Sequence, residues 1–78
     1  MPRYFFDIYD DIKVIDSDGL VLGDLTAARN EAARALAEAA KDLLPGDGPH
    51  KDLLISVRDD TGAVVLTAKL SFSAEPPF

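Results

Sequence analysis

The sequence predicts an α+β fold in which two β-hairpins flank one amphipathic helix packed on a single antiparallel sheet, a ββαββ order. Three observations carry this. Apolar residues alternate with a period of two in residues 3–9 and again in 64–72. From Asp24 the period lengthens to about 3.6. Turn chemistry, "DD" and "DDTG", stands where each pair of alternating runs must reverse.

In "RYFFDIY" the alternation puts Tyr4, Phe6 and Ile8 on one face and Phe5, Asp7 and Tyr9 on the other, with the first set read as inward. Asp10 and Asp11 connect this run to "IKVI", where Ile12 and Val14 alternate with Lys13, so the two form a hairpin. "SDGLVLGD" holds an apolar triplet between glycines, enough for a short extended piece but not for a full strand. Asp24 then stands as a natural N-cap, its carboxylate placed to accept from the free N–H groups of the first turn. A wheel at about 100° per residue gathers Leu25, Ala28, Ala32, Leu36, Ala39 and Leu43 on one stripe, with Asn30, Arg34, Glu38 and Lys41 opposite.

"PGDGP" closes the helix, because Pro45 cannot occupy a helix interior and Gly46 and Gly48 permit a reversal. Two further β-rich runs flank "DDTG", in which Asp59 and Asp60 favour the turn and Gly62 can take a left-handed position. Leu53, Ile55 and Val57 share a face with Val64, Leu66, Ala68, Leu70 and Phe72. The final "SAEPPF" lacks alternation and carries two prolines, so one domain is expected over residues 1–73 and a flexible tail over 74–78.

Composition bounds the function. A chain of 78 residues with 47% hydrophobic and 28% charged residues fits one small globular domain with a thin core. It has no cysteine, so disulfides and thiolate metal sites are excluded, and small domains without such staples often gain stability by oligomerising. The net charge of -6 repels phosphate backbones and favours basic partners, so nucleic acid is not expected as a ligand. No window is apolar enough to span a bilayer and no leader-like start is present, which makes a cytoplasmic protein without membrane partners the expectation.

No motif points to chemistry. In "DSDG", Asp16, Asp18 and Gly19 invite comparison with a calcium loop, but setting Gly19 at its sixth position puts Val14 first and Leu25 twelfth. Setting Asp16 first fails as well, so the segment is read as a turn. "PGDGPHKD" has its glycines after a helix, where the dipole is negative, and so lacks the arrangement of a phosphate cradle. His50 has no partner near it in sequence and reads as an exposed loop histidine. Asp7, Asp10 and Asp11 gather at a turn, where acid is expected. Arg29 lies at the border of the helix's apolar stripe, with two readings open: a stem covering the core edge, or a charge pair with a strand or loop aspartate. The expectation is therefore no enzyme, no catalytic residue, no metal and no cofactor.

The face of the sheet away from the helix is left without cover and would display Phe5, Tyr9, Ile15, Leu54 and Val65 among polar residues, a candidate interface for self-association.

The blocks "MPRYFFDI", "GDLTAARNEAARALAEAAKDLLPGDG" and "ISVRDDTGAVVLTAKLSF" resemble, in order and over nearly the whole chain, a family of small bacterial domains of unknown function well represented in rhizobia. A weaker similarity, through Gly23, Asp24, Ala27 and Ala28 at the helix start, runs to antitoxin domains of HicB type, which bind a basic toxin. The expected function is accordingly a non-enzymatic interaction or oligomerisation module, most simply a homodimer. The alternative is an antitoxin-like regulator that binds a basic protein partner.

Overall fold

The computed structural model describes residues 1–44 and 48–77. Its elements follow the order β1 (Arg3–Tyr9), β2 (Lys13–Val14), β3 (Leu20–Val21), α1 (Leu25–Leu43), β4 (His50–Arg58) and β5 (Val64–Ser73). The strands form one antiparallel sheet with the order β2-β1-β4-β5, and β3 also pairs with β1. One helix lies on this sheet, the α+β arrangement that the alternations and the change of period foretell.

Two short strands share β1: Val14 pairs with Ile8 near one end and Leu20 with Tyr4 near the other. Between them Phe6 donates its N–H to Asp16 Oδ2 at 3.1 Å, so a side chain takes the place of a missing strand. The long hairpin β4–β5 turns through "DDTG". Asp59 C=O accepts from Gly62 N–H, Asp59 N–H donates to Ala63 C=O, and Gly62 has φ +89°. These are the marks of a tight turn followed by a left-handed bulge residue. The Asp59 carboxylate accepts from the Thr61 hydroxyl and from the Thr61 and Ala63 N–H groups, and the Thr61 bond first of all holds its pKa below the ordinary value.

The core is one layer of side chains between sheet and helix. Tyr4, Leu53, Ile55 and Val57 meet Ala28, Ala32 and Leu36, and Leu53, Ile55 and Val57 are the largest side chains withdrawn completely from water. Alanine on the buried stripe lets α1 approach β4 and β5 closely. Asp24 caps the helix as expected, accepting from Ala27 N–H at 2.9 Å. At the other end Leu44 turns extended, with ψ 146°, the conformation required of a residue before proline. The expected reversal at Pro45 and Gly46 lies outside the described residues, while Gly48 is exposed.

Two members of the expected inner stripes depart from them. Leu25 is 45% exposed, because it opens the first helical turn beyond the buried residues that start at Ala28. Val64 is 59% exposed, because the register shifts between Val57 and Arg58, putting Val64 opposite Arg58 and leaving Val65 as the extra residue. The start of the tail is tied down: Ala74 N–H donates to Pro49 C=O, and the Glu75 carboxylate meets His50 Nε2. Among the described residues no helix is long and apolar enough to cross a membrane.

Candidate functional site

The register sets what stands on the face away from the helix. Phe5 is opposite Arg58, Asp7 opposite Ser56, and Tyr9 opposite Leu54, while Ser56 and Leu54 meet Thr67 and Lys69 of β5. This face is therefore mixed rather than an apolar sheet. Asp7, read from sequence as one of several turn acids, is 2% exposed. Its carboxylate holds Arg58 in two hydrogen bonds, Nε to Oδ2 at 2.7 Å and Nη2 to Oδ1 at 3.0 Å, and Oδ1 also accepts from Asp16 N–H at 3.0 Å. The Arg58 guanidinium lies 5.1 Å from the centre of the Phe5 ring and donates to the Asp16 carbonyl at 3.0 Å.

The "DSDG" segment is the cover that the sequence reading left out. Asp16 Oδ1 accepts from the N–H groups of Asp18 and Gly19, and Arg3 Nη1 donates to the Asp18 carbonyl at 2.7 Å. Gly19 has φ +71°, and a Cβ there would stand 2.8 Å from Phe5 Cε2, so only glycine lets the chain cross so close to the ring. The turn is thus folded over the Phe5 end of the outer face, which corrects the expectation of a face with no cover. The Asp16 carboxylate is occupied by the N–H groups of Phe6, Asp18 and Gly19, so it serves the turn and not a ligand.

The electrostatics follow from these bonds. The Arg58 hydrogen bond, working against burial, holds the Asp7 pKa below its ordinary value. Burial opposes the Asp16 carboxylate, yet the N–H donors of Gly19, Phe6 and Asp18 outweigh it and lower that pKa too. Arg58 is held still more firmly protonated by Asp7. Of the other acids at the hairpin, Asp10 Oδ1 accepts from Ile12 N–H and Asp11 pairs with Lys51 at 3.0 Å. Among the described residues no group of three or more His, Asp or Glu side chains is placed to hold a metal ion.

The candidate interface residues are only partly brought together. Tyr9 and Leu54 are cross-strand neighbours and half-buried, with Lys13 Nζ 5.2 Å from the Tyr9 ring. Phe5 lies under Gly19 and Arg58, Val65 is 36% exposed at the bulge, and Ile15, 51% exposed, stands on the segment between β2 and β3. His50 is exposed but opens strand β4 instead of sitting in a loop. Arg29 reaches solvent, donating to Asn30 Oδ1 at 3.4 Å, and among the described residues it makes no ion pair with a strand or loop aspartate. Of the two readings left open for Arg29 the charge pair is therefore not formed, and the buried aspartate Asp7 is held by Arg58 within the sheet.

Sequence reading also passed over the free edge of β5. Since Phe6 N–H and the Pro2 carbonyl face the Asp16 and β3 side, the odd-numbered residues of β1 turn their backbone groups toward β4. Carried through the register, this alternation turns the N–H and C=O groups of Thr67, Lys69 and Ser71 outward. β5 has ten residues and, among the described residues, one neighbouring strand.

This architecture, one helix on a mixed-face antiparallel sheet, defines a small α+β domain whose most distinctive surfaces are an edge and a face instead of an enclosed cleft. A family model described as a domain of unknown function (DUF6894) matches residues 3–71, and the chain belongs to that family. Comparison with curated proteins and with solved structures finds no match.

Proposed function

We propose that the chain is a non-enzymatic interaction module that self-associates edge to edge through β5. The observation that carries this is the character of the edge. Sheets blunt their edges with short strands, charges, prolines or cover, and the β1 side does so with two strands of two residues each and the Asp16 turn between them. β5 presents ten residues with no proline and one charge, Lys69, whose ammonium is 3.8 Å from Asp52. None of the 14 acidic residues lies in β5, so two copies of a chain of net charge -6 meet there without opposing carboxylates.

Pairing of two β5 strands would satisfy the outward groups of Thr67, Lys69 and Ser71 and cover the half-buried Leu66, Leu70 and Phe72. Tyr9, Leu54 and Val65 would then lie on a face continuous through both copies.

Light scattering of the full chain tests this, with an expected mass of twice 8.4 kDa. Thr67→Glu with Ser71→Glu, both at exposed positions, should return the protein to monomer without unfolding it. A mass of 8.4 kDa that does not change on concentration refutes the proposal. So does a dimer that survives the double substitution but is lost in Leu54→Lys.

A further inference from the structure

A second surface lies on the helix side of the sheet. The cross-strand row Val14, Ile8, Ile55, Ala68 crosses all four strands of the main path, but α1 rests on β4 and β5. Burial falls along the row accordingly: Ile55 is fully buried, Ile8 half-buried, and Val14 57% exposed, with Ile12 beside it at 71%. The uncovered part is a groove. Two adjoining hollows of about 440 and 330 Å³ share Ile8, Ala39 and Asp42, one running along the helix from Glu31 and the other reaching Ile12, Val14 and Leu43.

Three properties decide what fits it. Its helical wall runs from Glu31 to Leu43, about 18 Å at 1.5 Å per residue, the length of three helical turns. Ala35 and Ala39, one turn apart on that wall, are small enough for a second helix to lie about 8–10 Å from α1. The rim carries Asp10, Glu31, Glu38 and Asp42; Arg34 is engaged by Glu31 at 3.0 Å and Lys41 by Glu38 at 3.3 Å, both on the exposed helix surface, which leaves the rim acidic by two charges. α1 of a second copy would bring the same acids to this rim, so charge excludes it as occupant.

We propose that this groove receives an amphipathic basic helix from a protein partner, its apolar stripe on Ile8, Ile12 and Val14 and its lysines or arginines on Asp10, Glu38 and Asp42. The sheet would then carry two helices side by side, the usual way of covering four strands. This surface gives the net charge of -6 a specific use and is independent of β5 pairing.

The probe is a synthetic peptide of about fifteen Leu and Lys residues with apolar positions at i, i+3, i+4 and i+7, titrated into the isotope-labelled full chain and followed by amide shifts. Two controls are a scrambled isomer and the same stripe flanked by Glu. Saturable shifts should centre on Ile8, Ile12, Val14 and Ala39. Affinity should fall about tenfold or more in Asp42→Lys and in Ile12→Ser, both at exposed sites, and fall with added salt. The monomeric Thr67→Glu, Ser71→Glu variant should bind as well as the parent. Equal binding of the scrambled or Glu-flanked peptide overturns the proposal, as does the absence of saturable shifts up to about 1 mM peptide. Loss of self-association in Ile12→Ser with the β5 edge intact would assign the groove to a second copy and overturn it equally.

Discussion

Removing either member of the Asp7–Arg58 pair should destabilise the fold, but unequally and over different ranges of pH. Asp7→Ala deletes the acceptor of two charge-assisted hydrogen bonds and of Asp16 N–H. Such bonds contribute about 1.5–3 kcal/mol each. Arg58 is not stranded by the change, since its side chain is 27% exposed and still donates to the Asp16 carbonyl. The net loss should therefore be about 3 kcal/mol, near the lower end for breaking a buried pair. Arg58→Met leaves a carboxylate with 4% side-chain exposure and a single N–H donor, so its loss at pH 7 should be the larger of the two. The pH dependence separates them. In the parent the Asp7 pKa is lowered, so its contribution is full above the unfolded value of about 3.9 and is lost as pH falls through the folded value. In Arg58→Met the stranded carboxyl takes up a proton more readily when folded, so the deficit relative to the parent shrinks as pH falls toward that range. Urea unfolding followed by circular dichroism, at fixed protein concentration, measures all three variants of the cycle with Asp7→Ala/Arg58→Met as the third. Additive losses within about 0.5 kcal/mol, or a smaller loss for Arg58→Met than for Asp7→Ala at pH 7, would refute the reasoning.

Leu36, 7% exposed, is the large residue of the helix's buried face, so Leu36→Ala should cost about 2–5 kcal/mol in the same assay. Arg34→Ala, at a side chain 72% exposed, should cost under about 0.5 kcal/mol, and equal losses would mean that the helix face is assigned wrongly. Gly19→Ala forces a side chain into a left-handed position against Phe5 Cε2 and should cost about 1–3 kcal/mol, with a neutral result placing the turn elsewhere. Asp24→Ala should cost about 1 kcal/mol through loss of the cap, while Asp24→Asn should keep most of the stability; equal losses for the two would remove the capping explanation.

Periodicity exposed the parts of the fold in which one face is buried. Tyr4, Ala28, Ala32, Leu36, Leu53, Ile55 and Val57 all stand where alternation or the helical wheel put them, because burying a side is what produces such a pattern. Leu25 and Val64 depart for reasons outside any period, an element end and a register shift. Docking of the two hairpins was not legible: turn chemistry specifies which strands are joined, but not that β1 lies beside β4. For the same reason the Asp7–Arg58 pair, 51 residues apart, was hidden. A signal was present all the same, since aspartate is depleted in strands and Asp7 interrupts an aromatic run in the middle of one.

That pair supplies information which the apolar pattern lacks. A slip of one residue between β1 and β4 would turn every side chain to the wrong face and is forbidden by burial. A slip of two keeps all faces and is almost neutral to alternation. In one direction it would set Asp7 opposite Leu54 and carry Arg58 out of reach, leaving a buried carboxylate without a cation. In the other it would set Asp7 opposite Arg58, lifting the guanidinium from the Phe5 ring and from the Asp16 carbonyl that fix the turn over this face. Neither alternative satisfies Asp7, Asp16 and Arg58 together. The apolar residues thus select the faces of the sheet, and one buried charge pair selects among the registers that keep those faces.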